Sequence, residues 1–374
     1  MNMRGHCEVG SGSSWGIPAG KGAISESDDR ANGFYVIAIV VAYMGCLALA
    51  LVAAQLPEAV PAELRAATAT LVLYLLPGLA LERLLRPAGN APLAVRIPMG
   101  IMFSLCGLYL TSLLLFIAHP TASVSIWLEI ALSALPILGL LLASIRRRHT
   151  FTWRAPRRSL KAWLVPAGVA FLVFALVLVA VPQRYTHGRG WDSVYNLTIS
   201  RKVAALPQLS FTSAFVNNDF IDPAYGYNPH LLSVGMIARW SHTDPAHAWA
   251  VLSLLLLVFY LLSVYSLAWR FLRSHPGALF VMAFGIATFF VHFFTVRSHC
   301  TVYANPSCLV RPAVLMAAFF LLPLLEEWSR PNALSFALAT ATAASIHGSG
   351  GLFWPSTWVR LPAWRFSSCE GNDG

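Results

Sequence analysis

Residues 248–268 read AWAVLSLLLLVFYLLSVYSLA, twenty-one positions without an acid, a base or a side-chain amide. A helix of this composition is apolar all round, and its length matches the roughly twenty residues that cross the hydrocarbon core of a bilayer. Working outward, similar runs lie near 34–54, 67–81, 98–118, 125–145, 163–181, 278–295, 312–325 and 333–350. The sequence therefore predicts an all-α polytopic membrane protein with about nine transmembrane helices. The runs at 67–81 and 312–325 are short, which predicts tilted or partly re-entrant helices. The run at 333–350 is diluted by Ala, Ser and Thr.

Composition agrees. Of 374 residues, 57% are hydrophobic and 11% charged, with a mean hydropathy of +0.63. Soluble domains carry about a quarter charged residues, so water alone cannot solvate this chain. The net charge of +10 does not imply nucleic acid. The basic residues sit between apolar runs rather than on a patch interleaved with aromatics.

The six cysteines include no CxxC pair. Cys46 and Cys106 fall inside apolar runs and read as small core residues. Cys300 and Cys308 share one short loop, where a disulfide and two free thiols are equal readings. No P-loop, HExxH or Cys/His cluster appears, so neither a metal nor a cofactor is implied.

Lys and Arg in short loops set the orientation. With the N-terminus in the cytoplasm, thirteen fall inside: Arg83, Arg86, Arg96, Arg146, Arg147, Arg148, Arg154, Arg157, Arg158, Lys161, Arg270, Arg273 and Arg330. Three fall outside: Arg65, Arg297 and Arg311. The organisation is then a polar, disordered cytoplasmic leader at 1–33, a four-helix membrane region at 34–145 and a basic cytoplasmic loop at 146–162. A second membrane module follows at 163–350, with a long outer loop at 183–247, and an atypical tail at 351–374. No internal repeat is visible. The apolar period stops after His347, which suggests a truncated or frame-shifted product; an ordinary short tail is the other reading.

Loops as long as 183–247 are often functional. Trp191, Tyr195, Ile199, Val203 and Leu206 mark one face of a helix, with Asp192 at its start. A turn-rich link runs from Pro207 to Pro229. A second helix follows from about His230 to Trp240, with Leu231, Val234 and Ile237 on one face. Two such amphipathic helices are expected to lie flat on the outer membrane surface. Asn196-Leu197-Thr198 fits a glycosylation sequon on the first of them.

A span ending at Val181, then Gly190-Trp191-Asp192-Ser193-Val194-Tyr195, Tyr227-Asn228-Pro229-His230 and Asp244-Pro245, resembles the first outer loop of the GT-C superfamily. Those membrane glycosyltransferases take sugars from polyprenyl-phosphate carriers. The resemblance covers roughly 163–350. It departs from the family in three ways: the loop follows the fifth span, loop 296–311 has no acid, and about five of seven family spans are present. It implies transfer of a sugar from a polyprenyl-phosphate donor to an acceptor hydroxyl on the outer face, with inversion and without a cofactor. Asp192 matches the family's catalytic base. Arg201, Lys202, Arg297, His299 and His347 are candidates to hold the lipid phosphate.

Simpler roles exist for each residue. Asp192 suits a helix N-cap. Arg201 and Lys202 suit lipid headgroups, and Arg297, His299 and His347 suit interface anchors. Glu129 is the one carboxylate inside an apolar run, and packing and functional roles are equally open to it. With Pro77, Pro136 and Pro323 it speaks for an alternative, a membrane transporter or lipid flippase. A non-catalytic membrane protein is the third reading. The expected partners are a polyprenyl-phosphate-linked sugar and membrane lipids. The Ala-, Leu-, Arg- and Trp-rich usage, without an organelle signal, points to a bacterial cytoplasmic membrane.

Overall fold

The computed structural model describes residues 26–86, 91–118, 121–146, 191–207, 228–295, 306–326 and 328–346. Eleven helices and no strand occur among them: α1 Glu26–Gln55, α2 Ala62–Tyr74, α3 Leu76–Leu85, α4 Leu93–Ala118, α5 Ala122–Arg146, α6 Trp191–Ala205, α7 Pro229–Trp240, α8 Pro245–Leu272, α9 His275–Thr295, α10 Pro306–Glu326 and α11 Arg330–Ile346. Six stretches are long and apolar enough to cross a membrane: 35–55, 62–85, 93–115, 123–146, 245–272 and 309–326. The protein is a polytopic all-α membrane protein, and the described part carries six such spans rather than nine. Helix α11 is helical but not apolar enough to qualify, and α9 contributes a shorter apolar stretch, His275–Ala287. The run at 163–181 lies outside the described residues.

Two boundaries differ from the sequence expectation. Helix α1 starts at Glu26, inside the leader expected to be disordered. Glu26, Asp28 and Asp29 fall in its first turn, where carboxylates complement the exposed N–H groups. The short run at 67–81 belongs to a full-length span built from α2 and α3. Pro77 lacks an N–H and breaks the helix at Leu75, whose backbone leaves helical geometry at φ −124°, ψ −57°. Thr68, Thr70, Glu82 and Arg83 dilute the hydropathy of that span, yet all four are buried.

Helices α3 and α4 meet backbone to backbone. A Cβ on Gly78 would lie 1.7 Å from the Gly100 carbonyl oxygen, and the Gly78 N–H donates to Ser104 Oγ at 2.8 Å. Small residues at such a crossing give close van der Waals packing, which must replace the hydrophobic drive that lipid cannot supply. Outward faces are apolar instead. Val41, Met44 and Val52 on α1 and Leu135, Leu138 and Leu142 on α5 are more than half exposed, as lipid-facing positions should be. Trp127 and Trp328 are exposed near opposite ends of the bundle, where interfacial tryptophans sit.

The antiparallel spans bring one set of loops to each end. At one end, here the Asp244 end, Arg65 of α2 donates to the carbonyls of Ser241 and His242, both at 2.9 Å. At the other, the Arg270 end, Arg270 of α8 pairs with Glu326 of α10.

Candidate functional site

The segment expected to carry chemistry holds α6 and α7. Helix α7 begins with Asn228 as N-cap, its side chain accepting from the N–H groups of His230 (3.1 Å) and Leu231 (3.2 Å), and Pro229 occupies the first turn. Ser200 Oγ donates to the Leu231 carbonyl at 3.2 Å, and a Cβ on Gly235 would lie 2.6 Å from Val203 Cβ. Farther along, Arg239 donates to the carbonyls of Ala204 (3.1 Å) and Leu206 (2.5 Å). The partners rise together in number, so the two helices run side by side in the same direction. Arg239 thereby satisfies carbonyls that the end of α6 leaves open.

This pair does not lie flat on a surface as an amphipathic couple. Eleven of the twelve residues of α7 are buried, leaving only Arg239 partly open. Among the described side chains the buried positions of α6 are Asn196, Ser200 and Val203; Val203 belongs to the apolar stripe read from the sequence, Ile199 and Leu206 are partly buried, and the side chains of Trp191 and Tyr195 lie outside the described residues. Gly235 of α7 lets the two backbones close up at Ser200 and Val203. Leu232, Met236 and Val203 close over Leu115 of α4, so the pair is wedged into the bundle. The buried Asn196 also removes the sequon from solvent.

A polar rim surrounds the wedge at the Asp244 end. Asp244 caps α8 by accepting from the Ala246 N–H at 2.8 Å, and it pairs with Arg201 of α6 at 3.2 Å. Partial burial pushes the Asp244 carboxyl up. The Ala246 N–H, the Arg201 guanidinium and His247 outweigh it, leaving the group below its ordinary range. His247 lies 3.4 Å from Glu63 of α2. His242 takes a left-handed turn at φ 49°. Partial burial lowers the Lys202 ammonium.

Beneath the rim is a buried polar group of side chains from three helices. His230 is fully buried, with Nδ1 3.5 Å from the Tyr74 hydroxyl and its ring 6.2 Å from that of Trp249. Glu129 of α5 is 3% exposed, and its Oε1 meets no hydrogen-bond partner. Sequence reading singled out Glu129 but missed Tyr74 and His230. The signal available was a histidine and a tyrosine in otherwise apolar segments.

Of the predicted site residues, Arg201 and Lys202 are in view, and Arg201 is engaged by Asp244. Asp192 falls in the first turn of α6, with its side chain outside the described residues. Arg297, His299 and His347 lie outside the described residues, as does Cys300 and the side chain of Cys308. No group of three or more His, Cys, Asp or Glu placed to hold a metal occurs among the described residues. No family model matches the chain, and neither a curated protein nor a solved structure matches it.

Proposed function

We propose that this chain is a glycosyltransferase-like membrane protein. It moves a sugar from a polyprenyl-phosphate donor to an acceptor hydroxyl on the outer face of a bacterial cytoplasmic membrane. One observation carries the reading. A helix opening at Trp191-Asp192, a second opening at Pro229 and a span capped by Asp244 follow one another, and the two short helices are seated in the bundle. That is the order the GT-C resemblance implies.

The chemistry asks little of the protein, because the phosphate is already a good leaving group. Asp192 is the proposed base that takes the proton of the acceptor hydroxyl. Attack opposite the phosphate inverts the sugar carbon. Asp192 and Arg201 are separated by about 14 Å along the helix axis at 1.5 Å per residue. Arg201 and Lys202 therefore serve as headgroup contacts, and Arg297, His299 and His347 are the cations proposed to steady the departing phosphate. The test is Asp192→Asn, assayed for transfer from a polyprenyl-phosphate sugar. Loss of a general base should slow transfer by at least about a hundredfold. Transfer at the wild-type rate would remove Asp192 from the mechanism.

Glu129 favours a second reading. An ionisable side chain inside a membrane bundle marks a pathway for ions or polar substrates, as in a transporter or lipid flippase. Substrate flux across vesicles that disappears with Glu129→Gln, without any sugar transfer by the wild type, would decide for it.

A further inference from the structure

Several helices bring polar side chains to one level inside the bundle, just beneath an apolar layer. In that layer Leu115 of α4 packs on Leu232 and Met236 of α7, with Ile126 of α5 against them. Ser112 lies one turn below Leu115 on the same face of α4, and Glu129 lies one turn below Ile126 on α5. His230, in the first turn of α7, is deeper than Leu232 and meets Tyr74, the last residue of α2 before its break from α3.

Two of these groups have no partner. Glu129 is 3% exposed and Ser112 is fully buried, and neither Glu129 Oε1 nor Ser112 Oγ meets a hydrogen-bond partner. No charged side chain among the described residues reaches the Glu129 carboxyl. Tyr74 lies within range of that carboxyl and bonds Ser233. The other titratable groups on helices packed against α5 are hydroxyls or stand apart. Tyr43 of α1 is 2.9 Å from Ser133 Oγ, one turn farther along α5. Tyr109 of α4 is a buried phenol. On α3 the charges are Glu82 and Arg83. Their neighbour Leu84 places Cδ1 3.3 Å from a Cβ built on Gly139. Gly139 is about 15 Å along α5 from Glu129 at 1.5 Å per residue.

A carboxylate without a counter-charge is too costly to keep in such surroundings, whereas the neutral acid is tolerated. A proton is the smallest ligand that makes it neutral, and it needs no cavity. Only one apolar layer separates Glu129 from the rim at the Asp244 end. Along the axis the residue is about 10 Å from the start of α5. We infer that Glu129 is a proton-binding site that exchanges its proton with water at the Asp244 end. On release the carboxyl O–H bond breaks, the proton passes to water and the carboxylate remains beside Tyr74. The site concerns the residue behind the transporter reading but requires no flux.

Infrared spectroscopy of the full chain in nanodiscs, begun in sodium-free buffer, tests the site. The difference between wild type and Glu129→Gln should contain the C=O stretch of a protonated carboxylic acid at neutral pH. That component should shift in deuterated water and vanish reversibly as pH is raised. Glu129→Asp keeps the acid, so its component should be displaced rather than lost; it carries the test if Glu129→Gln does not fold. Glu82→Gln, at the other buried glutamate of the described residues, should leave the component in place. A spectrum unchanged by Glu129→Gln, or a component lost in Glu82→Gln, would overturn the site. So would a component indifferent to deuterated water, the mark of a sealed structural acid. Sodium should have no effect; loss of the component on adding sodium would make Glu129 a ligand for a metal cation and overturn the proton assignment. Because no transport is measured, a protein that exchanges this proton without moving substrate keeps the site and counts only against the transporter reading.

Discussion

The two ends of the bundle hold helices together by opposite means. At the Asp244 end, exposed ion pairs and arginine-to-carbonyl bonds lash α2, α6, α7 and α8 in partial contact with water. Arg201, Asp244 and His247 are about half exposed, and Glu63 about two-thirds. At the Arg270 end Glu82 and Arg83 are buried, at 1% and 4% exposed, and Arg270 is buried with them, while Arg273 and Glu326 stay about half exposed. Solvent screens the first set, so each pair there is individually weak and replaceable. The second set is costly to bury and costly to break. The difference teaches that contacts at the first end can be exchanged at little cost, whereas those between buried charges at the second cannot.

Substitutions can break this contrast. The largest effect should come from Arg270→Met at the buried end, which strips Glu326 of the nearer of its two arginine partners. With Glu326 half exposed, the loss is about 2–3 kcal/mol in detergent unfolding, below the full figure for a buried pair. A neutral outcome would show that the buried end is no stronger than the exposed one. Gly235→Ala comes next. A new methyl 2.7 Å from the Ser200 carbonyl must push α6 from α7, at about 2 kcal/mol, and circular dichroism melting would show it. Asp244→Ala removes the cap of α8 and should cost about 1 kcal/mol.

That cost has a pH signature. Because the folded carboxyl sits below its ordinary value, its contribution is present above the ordinary carboxylate range and fades as pH falls through the folded value. Wild type and Asp244→Asn should therefore converge in thermal melts as pH is lowered through and then below the ordinary aspartate range. Smallest of all is Arg201→Gln, at less than about 0.5 kcal/mol, measured by chemical unfolding. A loss as large as that of Arg270→Met would erase the distinction between the ends.

Much of the fold was legible because the bilayer makes a strong demand on sequence. The run read at 248–268 became a span at 245–272, that at 98–118 became 93–115, and that at 125–145 became 123–146. What failed is equally physical. Hydropathy undervalued 62–85 because its Thr hydroxyls bond carbonyls of the same helix and Glu82 and Arg83 are buried inside the protein. Thr70 Oγ1, for instance, donates to the Ala66 carbonyl at 2.7 Å. Period reading made α7 a surface helix from its Leu231, Val234 and Ile237 face, yet His230 and Ser233 on the rest of the helix are not exposed. Both are buried, Ser233 bonding the Pro229 carbonyl at 2.9 Å and His230 facing Tyr74. Likewise α6 buries the polar Asn196 and Ser200, with Gly235 letting α7 come close at Ser200 and Val203. The candidate site was less legible. Asp192 rests on a resemblance, whereas the Tyr74, His230 and Glu129 group arises from contacts between segments far apart in sequence.

The contrast between the two ends presumes that they lie on opposite sides of one membrane, with the Asp244 end outward. Single cysteines at 201 and at 273, placed in a chain whose six native cysteines are replaced, can be probed in intact cells with a membrane-impermeant maleimide. Arg201→Cys should label in intact cells, and Arg273→Cys only after the membrane is opened. Labelling of both from the same side, or of position 273 alone in intact cells, would contradict the account.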